Sequence, residues 1–242
     1  MTEKPRYRRI LLKLSGELLK GRHDFGFDEA SINIFADQIK EVAVMGVQVA
    51  LVTGGGNIFR GGAQFATNMD RTTADNIGML ATLINALMLQ DNFEKKGIEV
   101  RILSAIPSPN IAEPFIRRRA VKHLEMGRVV IFACGTGSPF FTTDTAAALR
   151  ANEINADVLL KGTKVRGVFS ADPAQNPDAH FFEAISYDDV LAQNLKVMDA
   201  AAFAVCRDNN LPIIVFDVTK AGNLRRVVMG EPVGTLVGGK SD

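Results

Sequence analysis

Short apolar runs, each cut off by glycine or a polar turn, alternate along this chain with stretches in which apolar positions recur every three or four residues. Ile10 to Leu14 is the first run and stops at Ser15-Gly16; Val47 to Thr53 is the second and stops at Gly54-Gly55-Gly56. Val100 to Leu103, Val129 to Ala133, Asp157 to Leu160, Ile213 to Phe216 and Thr235 to Val237 follow. Runs this short and this continuously apolar read as strands covered on both faces. Between the first two, Ile32, Phe35, Ala36, Ile39, Val42 and Ala43 share one helical face, closed by Gly46. The same spacing predicts helices over Met79 to Phe93, Glu113 to Met126, Thr145 to Ile154, Asp199 to Asp208 and Leu224 to Met229. Strands and helices alternating from end to end predict an α/β fold, a mostly parallel sheet with helices on both faces. No repeat, linker or low-complexity segment interrupts it. Asp172 to His180, with Pro173 and Pro177, reads as a surface loop. The expectation is one domain over residues 1–242.

Charge narrows the partners. A net charge of +1 gives no global field toward nucleic acid or acidic lipid, so any bound anion must be held by a local site. Arg117-Arg118-Arg119 reads as a solvated helix face or an oligomer contact ahead of a nucleic-acid contact. Cys134 and Cys206, far apart in apolar runs, read as buried small hydrophobes in a reducing compartment. Met1 to Arg9 is polar and basic, and Ile10-Leu11-Leu12 is too short for a signal peptide or a membrane span. The expected location is cytoplasmic, with no membrane partner.

In an open parallel sheet, ligands bind beyond the carboxyl ends of the strands. Four glycine-containing turns fall at such ends here: Ser15-Gly16, Gly54-Gly55-Gly56-Asn57, Gly135-Thr136-Gly137-Ser138 and Lys161-Gly162-Thr163-Lys164. Glycine lets backbone N–H groups approach phosphate oxygens, so the clustering points to phosphate binding. Neither a Walker A sequence nor a protein-kinase glycine loop with its catalytic loop is present. Lys13 and Lys161 each stand at a strand end and could neutralise charge on a transferring phosphoryl group; the plain alternative for either is a surface lysine. Arg60 is a natural phosphate fork or a solvated helix residue. Thr142, Thr143 or Asp144 should cap a helix, and Asp144 could also align the lysines. Capping leaves Phe140-Phe141 unexplained, and two aromatics beside a polar turn suggest a wall that packs a flat ring. His23, His123 and His180 are scattered without metal-ligand spacing. A Mg²⁺ held mainly by nucleotide phosphates fits better than a protein-built site.

These residues resemble the bacterial UMP kinases, a branch of the amino-acid-kinase superfamily. The resemblance runs from Arg9 to Val237. It is carried by Leu11-Leu12-Lys13-Leu14-Ser15-Gly16-Glu17, Gly54-Gly55-Gly56-Asn57-Ile58-Phe59-Arg60-Gly61, Gly135-Thr136-Gly137-Ser138-Pro139-Phe140-Phe141-Thr142-Thr143-Asp144 and Lys196-Val197-Met198-Asp199. It implies a three-layer α/β/α sandwich and transfer of the γ-phosphoryl group of ATP to UMP. It also implies residue roles. Lys13 and Lys161 would stabilise the transferring group, Asp144 would organise them, and Asp199 would act through water near the metal. Lys13, Leu14, Ser15, Gly16, Gly56, Arg60, Thr163, Phe169 and Asp172 would hold ATP. Gly55, Asp75, Thr136, Gly137, Ser138, Pro139, Phe140, Phe141, Thr142 and Thr143 would hold UMP. Gly21, Arg22, His23, Asp24, Phe25 and Gly26 match the place where GTP activates many members; UTP is the second expected effector, and homohexamers the expected assembly. Arg166 stands where many members carry Asp, and Phe169 where many carry Tyr.

Two other readings stay open. One is a sister enzyme that phosphorylates a carboxylate or carbamate; Phe140-Phe141 and Asp75 speak against it, because a small aliphatic acid needs no ring-packing wall. The other is a nucleotide-binding regulator without catalysis; Lys13, Asp144 and Lys161 together speak against that.

Overall fold

A computed structural model of the chain describes residues 4–60 and 68–238. Gly61, the last residue of the second glycine-rich marker, lies outside them, as do residues 1–3 and 239–242 of the expected domain. In chain order the elements are β1 (Arg9–Leu14), α1 (Gly16–Leu19), α2 (Glu29–Val44), β2 (Gln48–Thr53), α3 (Arg71–Lys95), β3 (Val100–Ser104), β4 (Glu113–Pro114), α4 (Arg117–Glu125) and β5 (Val129–Ala133). Then come α5 (Thr143–Glu153), β6 (Val158–Thr163), β7 (Ala184–Ile185), α6 (Tyr187–Ala192), α7 (Ala200–Asp208), β8 (Ile213–Asp217), α8 (Asn223–Met229) and β9 (Thr235–Val237). The strands form one sheet in the order β4-β3-β5-β2-β1-β6-β8-β9-β7. Every neighbouring pair is parallel except β8 with β9.

Side-chain alternation along the strands decides the layers. Ile10, Leu12 and Leu14 of β1 join a core with Phe35 and Ile39 of α2, Leu89 and Phe93 of α3, and Val227 of α8. Leu11 joins the opposite core with Leu124 of α4, Ala147 and Ala151 of α5, and Phe203 of α7. The result is an α/β/α sandwich whose central strands are buried on both faces, as their unbroken apolar sequences require. By the same period of two, Lys13 and Lys161 fall on the face covered by α5.

The structure corrects several boundaries. The helix expected from Met79 starts at Arg71, behind Asp70, whose carboxylate accepts from Thr73 N at 3.0 Å. Its first two turns carry only Ala74 and Ile77 among polar residues and glycine, too few to mark an apolar period. The helix expected from Glu113 starts at Arg117. Glu113–Pro114 is instead extended and pairs with Leu103–Ser104, and Phe115 N donates to Ser104 O at 2.8 Å. β6 continues to Thr163, so Lys161 lies inside the strand rather than past its end. α1, α6 and β7 are too short to show a period.

Candidate active site

Lys13 on β1 and Lys161 on β6 are Cα partners in adjacent parallel strands. Above them stands the first turn of α5. Thr142 caps that helix, accepting from Asp144 N at 3.0 Å and Thr145 N at 3.2 Å. The cap fixes Asp144 so that its carboxylate meets both lysines, with Oδ1 at 2.7 Å from Lys13 Nζ and Oδ2 at 3.0 Å from Lys161 Nζ. The Lys161 contact is a hydrogen bond. The Lys13 contact is a charge pair without hydrogen-bond geometry, and Lys13 is Oδ1's charge partner. Lys13 is 8% exposed, so it is no surface lysine.

Burial opposes ionisation of Asp144, but the two ammonium charges outweigh it and hold the carboxyl below its ordinary range. Burial holds Lys161 below the ordinary lysine range; Asp144 opposes that shift and Lys13 adds to it. The cluster therefore keeps one surplus positive charge at a strand-end site, a suitable receptor for phosphate oxygens.

Asp199 ties α7 to this turn. It caps α7, accepting from Ala202 N at 3.0 Å. It also accepts from the Thr145 hydroxyl at 3.0 Å and from the Thr142 hydroxyl. Lys161 Nζ donates to Val197 O, two residues before Asp199.

One cavity is lined by Lys161, and a second by Thr142 and Thr143 next to Asp144. The larger, about 500 Å³, is lined by Lys161, Thr163, Phe169, Asp172 and the 193–197 segment. Phe169 packs on Phe181 with ring centroids 5.3 Å apart, and Arg166 stacks over Phe181 at 4.0 Å. The second, about 360 Å³, is lined by Gly55, Gly56, Asp75, Thr82, Phe141, Thr142 and Thr143. The turns around it approach closely. A Cβ on Gly16 would lie 2.6 Å from Gly54 O, and one on Gly55 2.8 Å from Gly78 O.

Other candidates lie apart from the lysine cluster. Leu14 turns into the core, leaving only its backbone near the site. Ser15 caps α1, accepting from Glu17 N at 3.3 Å. Arg60 is paired with Glu17, its Nε 2.7 Å from Oε1, and Lys20 reaches the other oxygen at 3.0 Å. That pairing holds Glu17 below the ordinary carboxylate range despite the opposing effect of burial. Thr136, Gly137, Ser138 and Pro139 form the turn before the second cavity and do not line it; Thr136 Oγ1 accepts from Ser138 N at 3.1 Å. Phe141 supplies the wall, whereas Phe140 is two-thirds exposed, with the Arg71 guanidinium 5.7 Å from its ring. Phe140 takes a φ of 71°, and its N–H donates to Asp75 Oδ2 at 2.8 Å. The Gly21 to Gly26 loop is solvent-facing, with Phe25 exposed; Gly26 bonds back to Asn57. Among the described residues no group of three or more His, Cys, Asp or Glu side chains could hold a metal ion. Thr145 and Val197 of the cluster, and Asn85 beneath the second cavity, escape sequence reasoning. For Asn85 the signal is an amide on the mostly apolar face of the Met79 to Phe93 helix, one turn from Thr82.

Comparison with known proteins finds solved structures alike over nearly the whole chain. A crystal structure of UMP kinase from Bacillus anthracis superposes with a TM-score of 0.93 at 44% identity, over 96% of each chain. UMP kinase from Ureaplasma parvum gives 0.90 at 39% identity, over 96% of this chain and 99% of that one. Uridylate kinase from Archaeoglobus fulgidus gives 0.73 at 29%, over 94% and 99%. The model of the amino acid kinase family matches residues 8–217, and the chain belongs to that family.

Proposed function

We propose that this chain is a UMP kinase, transferring the γ-phosphoryl group of ATP to UMP to give UDP and ADP. The observation that carries the reading is the pair of in-register lysines sharing one carboxylate, with one cavity lined by Lys161 and a second lined by Thr142 and Thr143 next to Asp144. ATP would occupy the cavity lined by Phe169 and Asp172, and UMP the one lined by Gly55, Asp75 and Phe141. An oxygen of the UMP phosphate attacks the γ-phosphorus as the bond to the β,γ-bridging oxygen breaks. The acceptor is already ionised, so no general base is required. Lys13 and Lys161 offset the charge spreading over the transferring group, and Asp144 keeps them from parting. A Mg²⁺ would be held by phosphate oxygens, supplying further charge neutralisation. Asp199, its oxygens engaged by Thr142, Thr145 and Ala202, would reach it through water.

The wider reading is of a single-domain cytoplasmic enzyme, activated by GTP through the Gly21 to Gly26 loop, inhibited by UTP and assembled as a homohexamer. Leu80, Ile84, Leu87 and Met88, exposed on one face of α3, support contact between copies. The test is an ADP-release assay of the purified chain with UMP, CMP, dUMP, aspartate and acetylglutamate. Release specific to UMP is expected. Turnover of an amino acid substrate, or none with UMP, would overturn the reading.

A further inference from the structure

Beneath the second cavity two buried amides face each other. Asn57 follows the triple glycine, Asn85 lies in the middle of α3, and they are 1% and 0% exposed. Asn57 Nδ2 donates to Asn85 Oδ1 at 2.9 Å and Asn85 Nδ2 returns a bond to Asn57 Oδ1 at 2.8 Å. The second proton of Asn85 goes to Gly54 O at 2.7 Å and that of Asn57 to Gly26 O at 3.0 Å. Gly26 N donates to Asn57 O at 2.7 Å. All four amide protons are used, and the pair joins three segments: the Gly54 to Asn57 turn, α3 and the end of the Gly21 to Gly26 loop.

The position of this pair matters more than its burial. Gly55 and Gly56 line the cavity from the turn, while Asp75, Met79 and Thr82 line it from α3. Glycines hold no side-chain grip on their surroundings, so the turn needs an external tie to keep a fixed distance from the helix. Gly54 N also donates to Leu14 O at 2.9 Å, directly after Lys13 on β1. A shift of α3 against the turn would therefore alter both the width of the cavity and its alignment with the lysine pair.

We propose that Asn57 and Asn85 are positioning residues for the acceptor nucleotide: their amide pair sets the spacing between the glycine turn and α3, with Gly26 tied to the same pair through Asn57. Neither residue touches the reacting atoms. A purely structural pair would affect stability alone, whereas a positioning pair distinguishes the acceptor from the donor. The inference rests on the assignment of UMP to this cavity.

The test is steady-state kinetics on the full chain for wild type, Asn57→Ala, Asn85→Ala and the double variant, varying UMP and ATP in turn. KM for UMP should rise by about tenfold in either single variant, while KM for ATP stays within about twofold. The double variant should be no worse than the worse single one, because both substitutions break the same unit. Lowered melting temperatures with both KM values unchanged, or equal rises for UMP and ATP, overturn the proposal. Amide exchange of the wild-type chain with and without UMP is a second readout that needs no variant. UMP should slow exchange at Gly26, which lies outside the cavity, and an unchanged Gly26 rate also overturns the proposal. Absence of UMP-dependent ADP release by wild type would sink the functional reading instead, whereas full UMP activity with unaltered variants sinks only the amide pair's role.

Discussion

Lys13 and Lys161 stand directly opposite each other on adjacent parallel strands, and a single carboxylate, Asp144, keeps their like charges together. The attraction of each ammonium for Asp144 makes the close pairing of two cations tolerable in a buried site. Phosphate oxygens entering the site would complete the charge balance.

Removing one member should therefore cost rate more than binding. Lys13→Ala is expected to lower kcat by on the order of 10²-fold or more, the usual loss for a preorganised electrostatic group, with a much smaller change in KM for UMP. Steady-state kinetics measure both; activity within a few-fold of wild type would show that Lys13 plays no part in transfer.

The pH profile carries a second signature. Lys161 lies below its ordinary value of 10.5 because it is buried, and Asp144 opposes that shift. As pH rises through the lowered value the ammonium is lost, so kcat should fall on the alkaline side before ordinary lysines titrate. Asp144→Asn removes the opposing attraction while burial and the Lys13 charge remain, so in this slower variant the alkaline limb should move to lower pH. A limb that moves up in pH, or does not move, contradicts this electrostatic account.

Thr142 serves both as helix cap and as a hydroxyl donor to Asp199. Thr142→Ala should lower unfolding free energy by about 1–2 kcal/mol, from the lost cap and the lost hydroxyl bond to Asp199, whose carboxylate keeps Thr145 and Ala202 as donors. Because Asp144 rides on the same turn, kcat should fall as well. Chemical denaturation and kinetics on Thr142→Ala and Thr142→Ser decide the matter; a serine variant as impaired as the alanine one would rule out the hydroxyl as the cause.

UTP should inhibit at least partly in competition with UMP. It shares the uracil and ribose that the Gly55 and Asp75 cavity would read, and its extra phosphates could reach the neighbouring lysines and gain charge contacts. Initial rates with UMP varied at several fixed UTP concentrations and constant free Mg²⁺ should show competitive or mixed inhibition. No inhibition well above the KM for UMP, or inhibition untouched by an Asp75→Asn change that weakens UMP binding, would remove the shared site.

The strands of the sheet centre were legible because burial on both faces demands an unbroken apolar sequence, and Val129–Ala133 coincides with its expected bounds. β4 and β7, two residues each, have no pattern to read. The start of α3 stayed hidden because Arg71 to Asn76 precede its apolar face. Lys13 and Lys161 could be picked out because each follows an apolar run, although Lys161 lies inside β6, and their register depends on which strands neighbour each other. Phe140 and Phe141 look equivalent in sequence and are both more than half exposed, yet only Phe141 lines the cavity, and Phe140 takes a left-handed backbone. The Asn57 and Asn85 pair joins residues 28 positions apart through neutral amides, for which no local spacing rule exists.

The two-residue strands at both margins of the sheet affect how the protein behaves in concentrated solution. A long strand at the rim of a sheet offers a row of unpaired N–H and C=O groups on which a second molecule can template. β4 contains Pro114, which has no N–H to offer, and β7 lies beyond the antiparallel β8–β9 pair. The hydrogen-bonding capacity of a broad, largely parallel sheet therefore tapers off at its ends, leaving little backbone on which fibrillar growth could start.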